Sequence, residues 1–421
     1  MKRQVFHILL LIPVFTACLE SPEMTKGIIN GKEKPTVVSC QTEIPAAGSL
    51  LFQGEIVSKG KSEIIGRGFY WGTDSVNLNM KLVSDLTTDV FSCELENVRG
   101  GKTYYWRTFA ENSFGCDSGE VQAFQTPGIW VEKDSLNGDS RWRGAVFTLY
   151  NRVYVTCGNR DFGGPVSETW EYNITSDRWV HSERVSFPGG GRRYPVAFTI
   201  GNFAYVGTGL EANMLAHKDF YRLSAEYREW TTIATPPNDF EERHEAVAFG
   251  IDGKGYIIGG LSANGGELMD VWQYDPENDS WQQKGDFPVP LHRGTGISGN
   301  NRIFAGFGNA NESSGKLWEY IKDEDRWDEF TELPDDAKTN KIYSGVIIQN
   351  TIYVIDRNNR IWTCNLSNKI WKEKTRLPSV FENQVPDDVY QNLLTTGNSN
   401  SIYVGLGFTK QFYEYCPLWD N

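Results

Sequence analysis

The strongest pattern along the chain is an aromatic residue flanked by apolar ones, which returns at Tyr154, Tyr205, Tyr256, Phe304, Tyr353 and Tyr403 with spacings of 51, 51, 48, 49 and 50. A second series follows within each unit, at Trp170, Tyr221, Trp272, Trp318, Trp362 and Tyr413, usually with another aromatic or apolar residue two positions later. A two-residue step puts both side chains on one face of a strand. Nine positions on, five of the units carry a tryptophan: Trp179, Trp230, Trp281, Trp327 and Trp371. A fixed period near fifty residues predicts a repeat architecture, and a four-stranded unit that cannot bury either face alone predicts a propeller blade. Six periods predict six blades over residues 128–421. The sixth unit has no tryptophan of its own, while Trp130 stands unassigned at the front of the domain, so the strand carrying Trp130 is expected to complete the sixth blade and close the ring.

Ahead of the repeat, residues 35–127 show short alternating segments separated by turn residues, among them Leu50-Leu51-Phe52, Arg67 to Gly72, Val90 to Leu95 and Tyr104 to Phe109. Roughly seven such strands in about ninety residues predict a β-sandwich. The first residues read differently. Lys2-Arg3, an apolar run from Val5 to Val14, and Phe15-Thr16-Ala17 before Cys18 form a charged, then apolar, then small-residue order expected of an export leader at 1–17. That run is too short to span a bilayer, which takes about 20 residues. Residues 18–34 are polar, contain Pro22, Gly27 and Gly31, and suit a flexible tether.

Several of these stretches resemble known families. Tyr256 with Gly259-Gly260, the run Asp270-Val271-Trp272-Gln273-Tyr274-Asp275-Pro276, and Trp281 resemble a kelch repeat. Four other units keep one glycine of the pair, at Gly158, Gly209, Gly308 and Gly407, and residues 353–357 keep neither. The stretch Leu95 to Arg107, followed by Ala110-Glu111-Asn112-Ser113-Phe114-Gly115, resembles the later strands of a fibronectin type III domain, a family in which a tyrosine bonds back to the chain; Tyr104 matches it. The segment ending at Cys18 resembles a lipoprotein signal, whose cleavage leaves Cys18 as the lipid-modified first residue. Together the resemblances imply an all-β protein, a fibronectin type III-like β-sandwich followed by a six-bladed kelch-type β-propeller. They also imply an outer-membrane or cell-surface lipoprotein of a Gram-negative bacterium, held at the membrane by its lipid anchor only.

Charge narrows the partners. The formal net charge is −13, and loss of Lys2 and Arg3 with the leader takes it to −15. Lysine and arginine are scattered among more numerous carboxylates, which excludes a nucleic-acid surface. Six cysteines follow Cys18, with no CxxC or Cys/His spacing for a metal. They read as buried thiols or disulfides of an exported protein.

Loop lengths then point to a face. The connections between first and second strands and between third and fourth strands are short, whereas those between second and third strands and between blades are long (Asn159 to Ser167, Leu210 to Lys218, Leu261 to Leu268, Pro236 to Glu242). In an up-down-up-down blade the two long sets share one face, where binding is expected. Phe162, Asn213, Phe240, Asn264, Asn309, Asn311 and Phe381 on those loops are compatible with a sugar ligand.

At the starts of four innermost strands stand Arg143, Arg193, Arg243 and Arg293, joined by Tyr194, His244, Glu245, His292 and Tyr343. Converging guanidiniums would take a carboxylate or polyhydroxylated ligand through forked hydrogen bonds. The alternative is that these arginines tie neighbouring strands together in every repeat.

Three function classes follow. Copper radical oxidases, also kelch propellers, need a convergent imidazole set, and His181, His217, His244 and His292 are spread over different loops; no metal or other cofactor is expected. Six-bladed kelch proteins also include N-acetylneuraminate epimerases. That resemblance implies a sugar-acid mutarotase, with Glu245 as acid or base and Arg243 or Arg293 on the sugar carboxylate. With no GxSxG, HExxH, P-loop or paired-carboxylate arrangement in the sequence, the reading preferred at this level is a non-catalytic, envelope-anchored binding protein that recognises a glycan or protein through the long-loop face.

Overall fold

The computed structural model describes residues 33–45, 48–160, 163–181, 185–308, 315–338, 342–356, 358–381 and 393–420. The leader, Cys18 and almost all of the tether lie outside the described residues, as do Phe162, Asn309, Asn311 and the Tyr343 side chain. The chain divides into two compact units between Pro127 and Gly128.

The first unit is built from β1 (Thr36–Glu43), β2 (Leu50–Ser58), β3 (Ile64–Gly72), β4 (Met80–Val83), β5 (Val90–Leu95), β6 (Thr103–Asn112), β7 (Gly115–Ser118) and β8 (Gln122–Gln125). One sheet runs β1-β2-β5 and the other β4-β3-β6-β7, with β8 also pairing β6. Alternation explains the packing: Leu50, Phe52 and Ile56 of β2 and Tyr104, Trp106 and Thr108 of β6 turn inward and are buried. Phe52 stacks on Trp106 at 4.8 Å between ring centroids, and Phe69 meets the same indole edge-on at 5.6 Å. The Tyr104 hydroxyl accepts the backbone N–H of Arg99 at 2.9 Å.

The second unit is a ring of six antiparallel sheets, five of four strands and one, blade 3, with Arg243–His244 added as a short fifth strand against Lys254–Ser262. Blade 1 comprises Ala145–Leu149, Arg152–Thr156, Thr169–Asn173 and Arg178–His181; blade 2, Val196–Ile200, Phe203–Gly207, Phe220–Ser224 and Glu229–Thr232; blade 3, Val247–Ile251, Lys254–Ser262, Glu267–Asp275 and Ser280–Lys284. Blade 4 comprises Thr295–Gly299, Arg302–Gly306, Lys316–Ile321 and Arg326–Glu332; blade 5, Ile342–Ile348, Thr351–Asp356, Arg360–Asn365 and Trp371–Arg376. Blade 6 takes Leu394–Gly397, Ile402–Gly405 and Phe412–Tyr415 from the end of the domain and Trp130–Lys133 from its beginning, with Tyr415 opposite Trp130. Each blade's first strand touches the first strands of its two neighbours, and the sixth touches the first, so the inner circle is closed.

The repeated aromatics hold blade to blade. Tyr172, Tyr274 and Tyr320 donate their hydroxyls to Asp177, Asp279 and Asp325 of the following turn. Those carboxylates also accept the backbone N–H of the preceding blade's outgoing chain, at Asp134, Ala234 and Gly285. Trp179, Trp230 and Trp281 donate their indole N–H to carbonyls of the preceding connection, at Asp134, Val185 and Ala234. The tyrosine, tryptophan and aspartate of the repeat are thus one inter-blade fastening, whose indole bond is made by Trp179, Trp230 and Trp281 but not by Trp327, Trp371 or Trp130.

The kelch glycines have a steric reason. Gly260 has φ +103, and a Cβ there would lie 2.8 Å from the His244 carbonyl oxygen; Gly158, Gly209 and Gly308 meet the carbonyls of Trp142, Arg193 and His292 in the same way. The residue before each stays left-handed even where its glycine is gone: Cys157, Thr208, Phe307 and Leu406 have φ between 57 and 62. In blade 5 the glycines are replaced by a buried Asp356, which accepts from the backbone of Asn358 and Arg360, from the Arg360 guanidinium and from the Trp362 indole. The six cysteines after Cys18 are unpaired thiols, with Cys157 and Cys364 buried and Cys40 and Cys116 exposed. Among the described residues no helix is long and apolar enough to cross a membrane.

Candidate functional site

The two sets of long loops lie on one face and are hydrogen-bonded to each other. Phe187 N–H reaches Ser167, Phe287 reaches Met269, Leu291 reaches Leu268 and Leu377 reaches Asn359, each time from an inter-blade connection to a loop or strand end of the second-to-third connection. The residues that enter the innermost strands run along this face at the mouth of the ring.

The four arginines expected there fall at three levels, Arg243 thirteen, Arg193 twelve, and Arg143 and Arg293 eleven positions before the inner aromatic of their blade. Arg243 belongs with Arg141 and Arg192, and all three are buried with at most 1% of their surface exposed. Arg243 forms a fork with Asp270 at 2.6 and 2.8 Å and donates to the Gly259 carbonyl at 3.0 Å; Arg192 does the same with Asp219 and the Thr208 carbonyl, and Arg141 pairs with Glu168. This row fastens second-to-third loops to inner-strand entries, which removes Arg243 from the ligand set. Phe240 packs flat under the Arg243 guanidinium at 4.0 Å and is buried, as is Phe381, so neither is a sugar-stacking ring; Asn213 and Asn264 are exposed.

The other row is Arg143, Tyr194, Glu245 and Arg293, the residues that stand eleven positions before Tyr154, Tyr205, Tyr256 and Phe304. All four adopt left-handed backbone conformations, with φ of 58, 56, 58 and 54. Neighbouring members are joined through the main chain: Tyr194 N–H donates to Arg143 and Arg293 N–H to Glu245. One position earlier come Trp142, Arg193, His244 and His292, whose carbonyls press on the repeat glycines. Left-handed non-glycine residues repeated at one level of the ring turn each side chain the same way and gather at functional sites.

These side chains form one polar cluster. Glu245, 4% exposed, is gripped by Arg293 through two bonds of 2.6 and 2.8 Å. His292 Nδ1 lies 3.5 Å and His244 Nδ1 3.8 Å from the same carboxylate, and neither imidazole nitrogen has a hydrogen-bond partner. Burial works to raise the Glu245 pKa, but the His292 ring and the Arg293 guanidinium outweigh it and hold the carboxyl at about 2. Burial lowers the His244 pKa, against the pull of Glu245 and with help from Arg193 and Arg293, so this imidazole is neutral at neutral pH. Burial, opposed by Arg143, pushes the Tyr194 hydroxyl up to about 12.

Arg143 lies between two rings, its guanidinium carbon 4.3 Å from the Trp142 centroid and 4.7 Å from that of Tyr194, and Phe408 backs the indole at 5.2 Å. Arg193 contacts the Met214 sulfur at 2.9 Å. Among the described residues, neither Arg143 nor Arg193 has a carboxylate within ion-pairing distance. Two partly buried guanidiniums thus face the mouth without an anion, beside a buried carboxylate that already has its cation.

Seven of the nine expected residues therefore come together: Arg143, Arg193, Tyr194, His244, Glu245, His292 and Arg293. Trp142, Met214 and Glu267, which bonds His292 Nε2 at 3.1 Å, were not foreseen. Trp142 shares the register of Arg193 and His244 and could have been found by aligning the units on their inner aromatics. Among the described residues no group of three or more His, Cys, Asp or Glu is placed to hold a metal ion.

Comparison with known proteins gives a family and a set of relatives. A family described as the KLHDC2/KLHL20/DRC7 Kelch-repeats domain matches residues 144–356, half of the chain. A protein of Yersinia enterocolitica named N-acetylneuraminate epimerase is 35% identical over 103 residues, covering 21% of this chain and 24% of its own length. One of the same name from Haemophilus influenzae is 34% identical over 135 residues, covering 28% and 34%. The chain thus matches about a quarter to a third of the length of these curated relatives. A solved structure, "Structure of YjhT", superposes with a TM-score of 0.51 at 13% identity, covering 66% of this chain and 95% of that one, and shares the fold.

Proposed function

The chain belongs to this kelch-repeat family, and from that premise we propose that its propeller is a mutarotase, interconverting the anomers of a carboxylated sugar at the channel mouth. The observation that carries the reading is the pair of guanidiniums without an anion, Arg143 and Arg193, next to a shielded acid–base cluster. The names of the partial relatives favour this over the non-catalytic recognition module that the sequence alone preferred.

Opening a sugar hemiketal takes a base for the anomeric hydroxyl proton and an acid for the ring oxygen, both close to the anomeric centre. The sugar carboxylate would dock on Arg143 and Arg193 through charge-assisted hydrogen bonds. His244, neutral and with a bare Nδ1, is the base. Glu245 stays ionised, because a group titrating near 2 is a poor proton acceptor at neutral pH; its part is to hold Arg293 and to favour positive charge on the flanking imidazoles.

The same proposal takes the N-terminal unit as a fibronectin type III-like spacer, supported by its two facing sheets and the Tyr104 bond to Arg99. It takes Cys18 as the site of lipidation of an exported protein, supported by the leader pattern.

The test is anomer exchange of N-acetylneuraminate followed by two-dimensional exchange NMR, with wild type, Arg143→Ala and Glu245→Gln. Faster exchange than in buffer, lost in the folded variants, is the expected result. No acceleration by wild type overturns the mutarotase reading, and retained binding of acidic glycans would then restore the recognition module.

A further inference from the structure

His292 has two carboxylates, one on each side. Its Nε2 lies 3.1 Å from Glu267 Oε1, while its Nδ1 points to Glu245 at 3.5 Å without a hydrogen-bond partner. The ring is nearly buried, whereas Glu267 is half exposed at the start of the third strand of blade 3. We propose that Glu267 and His292 form a carboxylate–imidazole pair in which His292 is the general acid of the channel mouth and Glu267 its positioning residue; this rests on the mutarotase reading of the site.

The backbone argues that the arrangement is built. Leu291 N–H bonds the Leu268 carbonyl at 3.0 Å and the Leu291 carbonyl accepts Gly260 N–H at 2.8 Å, so the residue before His292 is laced to the residue after Glu267. Arg293 N–H bonds Glu245 at 2.9 Å on the other side. A Cβ at Gly259 would collide with the Leu291 carbonyl, which is why the full glycine pair survives in blade 3, the blade whose long hairpin carries Glu267.

The chemistry follows from these contacts. When Glu267 accepts the Nε2–H, the neutral ring keeps its Nδ1 lone pair beside Glu245, within the polar cluster. Protonated at Nδ1 as well, the ring lies between the Glu245 and Glu267 carboxylates, with Arg293 clamped on the former. An imidazole whose far nitrogen is held by a carboxylate has its orientation and basicity set by that partner. In ring opening, the bond between the anomeric carbon and the ring oxygen breaks. The ring oxygen takes the electron pair and the Nδ1 proton of His292, and the anomeric hydroxyl gives its proton to His244 Nδ1 as the carbonyl forms. Closure on the other face returns both protons, with no change of oxidation state.

The test is Glu267→Gln in the full chain, with Glu267→Asp as the conservative control, read in two ways. The first is the NMR titration of His292 in the ligand-free protein, and the second is the pH profile of anomer exchange. We expect the His292 titration and the basic limb of kcat/KM to move together to lower pH in Glu267→Gln. In the same variant kcat should fall roughly tenfold with KM nearly unchanged, and Glu267→Asp should recover part of the loss. A wild type that catalyses while Glu267→Gln leaves both titration and profile in place overturns the pair. A wild type that does not catalyse overturns the mutarotase reading, and the acid role with it.

Discussion

Arg243 and Arg143 are the same amino acid at nearly the same level of the ring, and they do different things. Arg243, with Arg141 and Arg192, is buried against a carboxylate, a carbonyl and, for Arg192 and Arg243, an aromatic face. Arg143 has aromatic faces but, among the described residues, no carboxylate within ion-pairing distance. The difference is two residues in register: thirteen positions before the inner aromatic the arginine is buried against a carboxylate of its own blade, and eleven before it the backbone is left-handed and Arg143 lies between two rings. The same guanidinium is therefore structural where the fold supplies its anion and ligand-seeking where it does not.

The contrast can be broken hardest at the buried row. Arg243→Ala leaves Asp270 without its cation and should cost about 3–5 kcal/mol, measured by urea unfolding; a loss under about 1 kcal/mol would make the buried row dispensable. Next comes Glu245, whose folded pKa of about 2 lies below its ordinary 4.5. A depressed carboxyl adds stability above 4.5 that is lost as pH falls from 4.5 through 2, and the shift corresponds to about 3 kcal/mol. Glu245→Gln should flatten the unfolding free energy over that interval, and an unchanged pH slope would contradict the Arg293 clamp.

Smaller effects sharpen the other side. Arg143→Ala should change stability by less than about 1 kcal/mol, because no ion pair is broken, yet weaken an acidic sugar by roughly tenfold or more in calorimetric titration. Equal losses of stability and affinity would return Arg143 to the structural row. The smallest effect is expected at Thr208, a β-branched residue at φ 57. Thr208→Gly relieves about 1–2 kcal/mol of backbone strain against the entropy of an added glycine, leaving a net gain within about 1 kcal/mol by thermal unfolding.

The ring was legible because its signal is written six times. Tyr154 and its five counterparts set the period, and the out-of-phase Trp130 announced the shared sixth blade. The mouth was half legible. Arg143, Arg193, Arg243 and Arg293 recur every fifty residues, which concealed that the blades repeat every 51, 51 and 48; measured from the inner aromatics, Tyr194 and Glu245, not Arg193 and Arg243, are the counterparts of Arg143. Glu267 and Met214 were invisible for a different reason. Met214 sits on a second-to-third connection and Glu267 at the first position of the third strand of blade 3, neither of which the repeat constrains, and only the folded hairpin brings Glu267 to His292. Phe240 and Phe381 misled because an aromatic in a long loop can be the loop's own core.

The pairing of Trp130–Lys133 with Phe412–Tyr415 also sets an order of events during synthesis. The strand at Trp130 leaves the ribosome long before its partner exists, and contacts this distant in sequence form late because the loop they close is large. Until then the aromatic edge at Trp130 waits unpaired, an exposed strand open to pairing with another chain. A propeller closed in this way therefore depends on whatever shields nascent chains, and a chain interrupted before Phe412 would leave Trp130–Lys133 without the strand it pairs with.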